Sequence, residues 1–222
     1  MDAAISAVRR HGAGVSMDQI AEEAQTSKTI IYKYFNDKLG LQTAIAGRYV
    51  QELLENAPKI ELADTLCVEV VRPLVSSFFA LIEREPELYF FVNLTQFTSY
   101  GGAGRYLNFD DLAEDLVLTS LQLAHPKAEL TDLGKVAART WADGVRVVVV
   151  AVAERWLRAK VTSEMDVDLR DSNFDSAEAS MARLPRERLV DYLIGHIDGS
   201  LHRMVETEWP GAEMQIAINL ED

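Results

Sequence analysis

Cysteine, histidine pairs and long apolar runs are scarce in these 222 residues, and each scarcity removes a class of protein. Cys67 is the single cysteine, so no intramolecular disulfide framework is available and a reducing compartment, the cytoplasm, is the expected setting. The four histidines are His11, His125, His196 and His202. No two of them stand at the i, i+4 spacing that puts two imidazoles on one metal. No run of eighteen uninterrupted apolar residues occurs, which removes a membrane-spanning helix. The start lacks a charged segment followed by an apolar one, so no secretory signal is expected. Nucleophile elbows and dinucleotide-binding glycine patterns are absent. Enzyme chemistry therefore has no named residue behind it, and no cofactor is expected.

Positive charge is also in short supply. The chain holds 22 Lys and Arg against 35 Asp and Glu, a net of −13. The imbalance is uneven. Residues 1–50 contain six cations (Arg9, Arg10, Lys28, Lys33, Lys38, Arg48) and five anions, a net of +1, which leaves −14 on residues 51–222. An acidic body behind a near-neutral head can still meet a polyanion if the head's cations share one face.

Residues 16–41 are the most informative stretch present. Ser16 is placed to cap a short helix whose apolar stripe is Ile20, Ala21 and Ala24. Gln25 and Thr26 make a turn. Ser27 then caps a second helix of about seven residues, ~10 Å long, a size that suits a major groove. In that helix Ile31 and Phe35 lie four apart and face inward. Lys28, Thr29, Tyr32 and Lys33 are left to face outward. A lysine at 28 can reach guanine O6 and N7, Thr29 and Tyr32 can touch a thymine methyl, and Lys33 can reach a base edge or a phosphate. Tyr34 and Lys38 stand at the end of the unit, where a hydroxyl and a cation can hold the phosphate backbone. The alternative is an ordinary helical hairpin with solvated lysines.

The run Ile20-Ala21, Ser27-Lys28, Tyr32-Lys33-Tyr34-Phe35 and Lys38-Leu39-Gly40-Leu41 resembles the DNA-binding motif of the tetracycline-repressor-like (TetR) family. The resemblance covers roughly the first fifty residues; beyond them it lies in helical layout. It implies that Lys28, Thr29, Tyr32 and Lys33 face bases or nearby phosphates and that Tyr34 and Lys38 grip the backbone. The capping serines Ser16 and Ser27 are also expected among the DNA-binding residues. Two departures stand out. The family's turn usually holds a glycine where this chain has Gln25, which must adopt that backbone without glycine's freedom. The first helix also begins almost at Met1, so phosphate contacts from an amino-terminal arm are not expected.

The rest reads as helices throughout. Asp37 caps one from about Lys38 to Glu55, with Leu41, Ile45, Tyr49 and Leu53 at near-helical spacing. Another runs from about Ala63 to Arg84, with Pro73 expected to kink or break it. Pro86 opens the next. Much of the aromatic content falls nearby: Phe78, Phe79, Tyr89, Phe90, Phe91, Phe97, Tyr106 and Phe109. Core packing accounts for any single ring. Taken together with the ligand pocket that the resemblance implies for this region, the cluster favours a cavity lined by Phe78, Phe79, Phe90, Asn93, Leu94, Phe97, Tyr106, Phe109, Trp141 and Arg146. The glycine-rich stretch 101–104 reads as a hinge or lid, and a further helix is expected over about 109–124.

The longest helical candidate is Thr131–Lys160. Its run Val145–Ala153 is rich in β-branched residues and suggests a strand, but both flanks continue a helical pattern. Arg139, Asp143 and Arg146 are spaced for an intrahelical ion network. Residues 161–184 are acidic and read as an irregular loop. From about Pro185 to Met204, Leu189, Leu193, Ile197 and Leu201 form an apolar ridge, with Gly195 and Gly199 on an adjacent face. This helix and the carboxy-terminal half of the long one (Val149, Val152, Trp156) are expected to form a four-helix dimer interface, with intrachain packing as the alternative.

The sequence thus predicts an all-α protein. Residues 1–50 form a three-helix helix-turn-helix head, and residues 51–222 form a larger helical body for ligand binding and dimerisation. The expected function is a homodimeric, ligand-responsive transcriptional regulator, most simply a repressor. It would be released from a near-palindromic double-stranded operator by a hydrophobic or amphipathic effector, with no membrane partner. The alternatives are a helical small-molecule-binding protein without operator binding, and an all-α enzyme.

Overall fold

The computed structural model describes residues 1–55, 67–93, 131–164 and 176–208. Every regular element among them is an α-helix. In chain order they are α1 (Asp2–His11), α2 (Met17–Glu23), α3 (Lys28–Phe35), α4 (Lys38–Glu55), α5 (Cys67–Arg84), α6 (Pro86–Asn93), α7 (Asp132–Glu164), α8 (Ser176–Ala182) and α9 (Arg186–Glu208). The β-branched run 145–153 lies inside α7, so its helical flanks outweigh its local strand preference. No helix among the described residues is long and apolar enough to cross a membrane.

The chain divides into two compact units, Met1–Ala57 with Ser77–Phe109, and Pro58–Ser76 with Asp110–Asp222. The first is discontinuous in sequence and takes in a segment well beyond residue 50. Its core gathers Ile5 and Val8 of α1, Ile20 of α2, Ile31 of α3, Leu41 and Ile45 of α4, and Leu88 and Phe91 of α6. In α1 the buried positions Ala4, Ile5, Ala7 and Val8 follow the i, i+3, i+4 pattern of one helical face. Leu41 and Ile45 occupy the buried stripe of α4, with Tyr49 packed against the same core.

Helix α6 is fastened to this core by polar contacts. The fully buried Gln42 donates from Nε2 to the Phe91 carbonyl at 2.6 Å, which ties α4 to α6. Glu87 Oε2 accepts the Ala13 N–H at 2.7 Å, and Arg9 donates to both carboxylate oxygens of Glu85 at 2.9 and 2.5 Å. That carboxylate holds the Arg9 guanidinium above its ordinary pKa through the hydrogen bond. Burial pushes the Tyr49 phenol up.

In the second unit α7 packs against both α8 and α9. Ala138, Ala142 and Ala153 are buried on α7, and their small side chains permit close approach of a neighbouring helix. Trp156 is fully buried and its Nε1 donates to the Leu184 carbonyl at 3.2 Å. Trp141 Nε1 donates to Ser200 Oγ at 2.8 Å, joining α7 to α9. Arg72 and Asp191 pair at 2.6 Å between α5 and α9.

One expectation is narrowed and one needs correcting. Pro73 does not break its helix, because α5 runs through it from Cys67 to Arg84. The helically spaced, buried Val75, Phe79 and Ile82 follow directly, and burial at about 1.5–3 kcal/mol per side chain exceeds the ~3 kcal/mol cost of a helical proline. The acidic stretch 161–184 is not wholly irregular. Helix α7 extends to Glu164, and Ser176–Ala182 forms α8, whose sequence SAEASMA is rich in alanine, the best helix former. The expected helix start at 63–66, the glycine stretch 101–104, the helix at 109–124 and the tail beyond 208 lie outside the described residues.

Candidate nucleic-acid interface

The unit formed by α2, its turn and α3 is built from local hydrogen bonds. Ser16 Oγ accepts the Gln19 N–H at 3.2 Å, and Gln19 Oε1 accepts the Ser16 N–H at 2.9 Å. This reciprocal box satisfies two amide donors at the start of α2. At its far end the Thr26 N–H reaches the Ala21 carbonyl (3.0 Å) and the Gln25 N–H reaches the Glu22 carbonyl (2.9 Å). That pair is a Schellman termination, which requires a left-handed residue between helix and turn. Gln25 fills the place with φ of 50°, so a non-glycine residue holds the conformation that the sequence demanded of it.

Ser27 caps α3 by accepting the Ile30 N–H at 3.4 Å. Asn36 ends α3 with φ of 67°, its N–H bonded to the Tyr32 carbonyl at 2.8 Å. Asp37 Oδ1 then accepts the Gly40 N–H at 2.7 Å, which starts α4 as expected. Gly40 has a packing role: a Cβ there would overlap the Phe35 carbonyl oxygen. Helices α3 and α4 meet closely only because that position lacks a side chain.

Around the α3 axis, Ile31 is buried and Phe35 is partly buried against the core. Thr29, Tyr32, Lys33 and Tyr34 are exposed. Lys28 is half-buried and its ammonium donates to Asp18 Oδ2 of α2 at 2.9 Å. This hydrogen bond holds the Lys28 amine above the ordinary lysine pKa. Lys33 has no ion pair among the described residues. Lys38 turns partly inward. Its Nζ donates to the Val15 carbonyl at 3.2 Å and lies 5.2 Å from the centre of the Phe91 ring. A phosphate contact from Lys38 would have to use its remaining ammonium protons. Glu23 braces α2 against α1 by accepting from Ser6 at 3.1 Å and from Arg10 at 2.6 Å.

One aliphatic side chain also stands outside the core. Ile30 is 46% exposed. At ~100° per residue it lies ~120° away from the side occupied by Ile31 and Phe35, on the flank it shares with Lys33 and Tyr34. The sequence reading left this residue unassigned, although the helical angle was an available signal. Gln19 as the second half of the capping box was legible from its N3 spacing and was also missed.

A buried anchor, an exposed polar face and a glycine-dependent helix junction thus occur together in residues 16–41. Residues 1–45 match the model of a family described as bacterial regulatory proteins, tetR family. Residues 1–45 are thus similar to the amino-terminal domain of the tetR family. An uncharacterized HTH-type transcriptional regulator of Mycobacterium tuberculosis is 40% identical over 93 residues, 41% of this chain and 40% of that protein. The HTH-type transcriptional activator FasR of Mycolicibacterium smegmatis is 34% identical over 79 residues, 36% of this chain and 35% of its own length. The matches therefore span well under half of either relative. A transcriptional regulator of Streptomyces coelicolor has a crystal structure with a TM-score of 0.49, at 19% identity, covering 88% of this chain and 94% of that one.

The remaining expected residues fall in different places. In the first unit, Phe79 is fully buried. Phe78 is half-buried and meets Phe79 and Tyr89 edge-on at 6.0 and 6.2 Å. Phe90 meets Tyr89 at 5.7 Å. Asn93 is the last residue of α6. Leu94, Phe97, Tyr106 and Phe109 lie outside the described residues. In the second unit, Trp141 is half-buried and bonded to Ser200, and Arg146 is half-buried.

The set expected at a dimer interface is reassigned by burial. Val149, Trp156, Leu189, Leu193, Ile197 and Leu201 are buried within the single chain, so the apolar ridge of α9 packs intramolecularly. Val152 is half-buried. Gly195 and Gly199 are exposed, and a Cβ added at either meets nothing within 4 Å.

Proposed function

We propose that this chain is a tetR-family transcriptional regulator that binds double-stranded DNA as a homodimer and responds to a small hydrophobic or amphipathic effector. The observation that carries the reading is the division of α3: Ile31 and Phe35 hold the helix in the core while Thr29, Lys33 and Tyr34 stand free. A short helix seated in this way can enter a major groove and present side chains to base edges and phosphates. Two heads would address half-sites about 34–36 Å apart, one helical turn of DNA. The near-neutral head predicts few phosphate contacts and a shallow dependence on salt.

Dimerisation would use what the chain's own core leaves over. Leu133, Val136 and Val147 on α7 and Tyr192 on α9 are large exposed hydrophobic residues, and Gly195 and Gly199 offer close approach on α9. A second copy seated there would build a four-helix arrangement. In the head, the fastening of α6 through Gln42, Glu87 and Glu85 supports coupling, because a shift of α6 would pull on α1 and α4 together. An effector that favours one arrangement by ~1–3 kcal/mol changes DNA affinity roughly 5–150-fold.

Release of a repressor is the simplest outcome. Activation is the second reading, favoured by the name of the relative FasR. A mobility-shift assay on DNA upstream of the chain's own gene tests operator binding, and the reading predicts a discrete, sequence-specific complex. Absence of any specific complex contradicts it. Mass spectrometry of small molecules retained by the native protein tests the effector, for which an apolar or amphipathic compound is expected.

A further inference from the structure

Four of the nine large hydrophobic side chains exposed among the described residues, Ile30, Tyr32, Tyr34 and Leu39, lie within residues 30–39. Tyrosines carry a hydroxyl that can satisfy a phosphate or solvent. Ile30 has no polar atom, yet it projects from the third position of α3, in the amino-terminal turn where a recognition helix comes nearest the base edges. Its neighbours on that face, three and four residues on, are Lys33 and Tyr34, both exposed. An aliphatic side chain there gains nothing from phosphates or from the donors and acceptors of the groove. The apolar group that a major groove displays is the C5-methyl of thymine.

Resting on the DNA-binding reading above, we infer that Ile30 is a specificity-determining residue that selects a thymine by packing on its C5-methyl. Lys33, one turn on, stands beside it and supplies the polar contact to a neighbouring position. The Asp18–Lys28 ion pair draws the Lys28 side chain toward α2, ~160° round the helix from Ile30. The chain therefore reads one base pair by shape rather than by hydrogen bonding, and thymine there is preferred over cytosine because cytosine lacks the methyl.

The experiment crosses a protein change with a DNA change. Duplexes are selected by the full-length protein from a random library, and each thymine of the selected half-site is replaced in turn by uracil, which removes only the methyl. The wild type should lose about three- to fourfold in affinity at one position, the size expected for one methyl group taken out of a contact. Ile30→Ala should bind more weakly overall and be indifferent to the same replacement. Ile30→Val, which keeps the branched surface, should retain the discrimination. Because Ile30 is exposed and alanine favours helix, circular dichroism of the variants should match the wild type. If every uracil replacement weakens Ile30→Ala as much as the wild type, the inference is overturned while DNA binding stands. If no duplex is selected at all, the underlying DNA-binding reading fails with it.

Discussion

Helix α3 turns two of its eight residues, Ile31 and Phe35, toward the core, whereas α9 commits an unbroken ridge, Leu189, Leu193, Ile197 and Leu201, to packing within its own unit. In α3 the anchor is small, and the capping of α2, the turn at Gln25 and the junction at Gly40 hold the helix in place. Most of its surface is thereby released for a partner. In α9 the anchor is large, and what is exposed among its described side chains is Tyr192, His196, two glycines and charged residues. A helix can be made available for recognition by spending local hydrogen bonds on its ends instead of apolar area on its side. A helix that spends its area internally can still offer a partner only flat, close-approach surface.

The contrast can be broken at its strongest point first. Trp156→Ala removes a fully buried ring from the second unit and should cost about 3–5 kcal/mol in stability, read by denaturant unfolding. Unchanged stability would mean that this core is not intramolecular. The double variant Lys28→Ala/Lys33→Ala addresses α3. It should fold normally and lose roughly 30-fold or more in operator affinity, at about 1–3 kcal/mol for each of the two contacts. An unaltered affinity in a titration would remove both lysines from the recognition face.

Two further substitutions sharpen the comparison. Gly40→Ala forces a Cβ onto the Phe35 carbonyl and should cost about 1–3 kcal/mol as an overpacked junction, with DNA binding falling as α3 is displaced. A neutral result in thermal unfolding would show that the junction relaxes freely. Gly199→Leu has open space around it within the chain, and leaving glycine gains under about 1 kcal/mol of helix propensity. The smallest change in stability is therefore expected there, together with loss of the dimer in analytical ultracentrifugation. A variant that remains dimeric would move the interface elsewhere.

What could be read in advance follows the range of the interaction. Ser16, Ser27 and Asp37 bond three residues away, so their roles as caps were visible in the sequence, as was the backbone demand at Gln25. The roles of Lys38 and Gln42 were not visible, because their partners Val15 and Phe91 lie 23 and 49 residues away. Ile30 was left unassigned, although its helical angle was legible. The ridge of α9 shows the general difficulty: a repeat every four residues reveals that one side is buried, and says nothing about which chain buries it. The helix at Ser176–Ala182 was hidden by the acidic residues around it, although its alanine content was legible.

The most direct measurement of the central claim is an anisotropy titration of the full-length protein against a duplex carrying its selected site, and against a scrambled duplex of equal length. The account predicts saturable binding that favours the selected site by about 10³-fold or more at physiological salt, with two heads bound per site. Equal affinity for the two duplexes, or none for either, would contradict it.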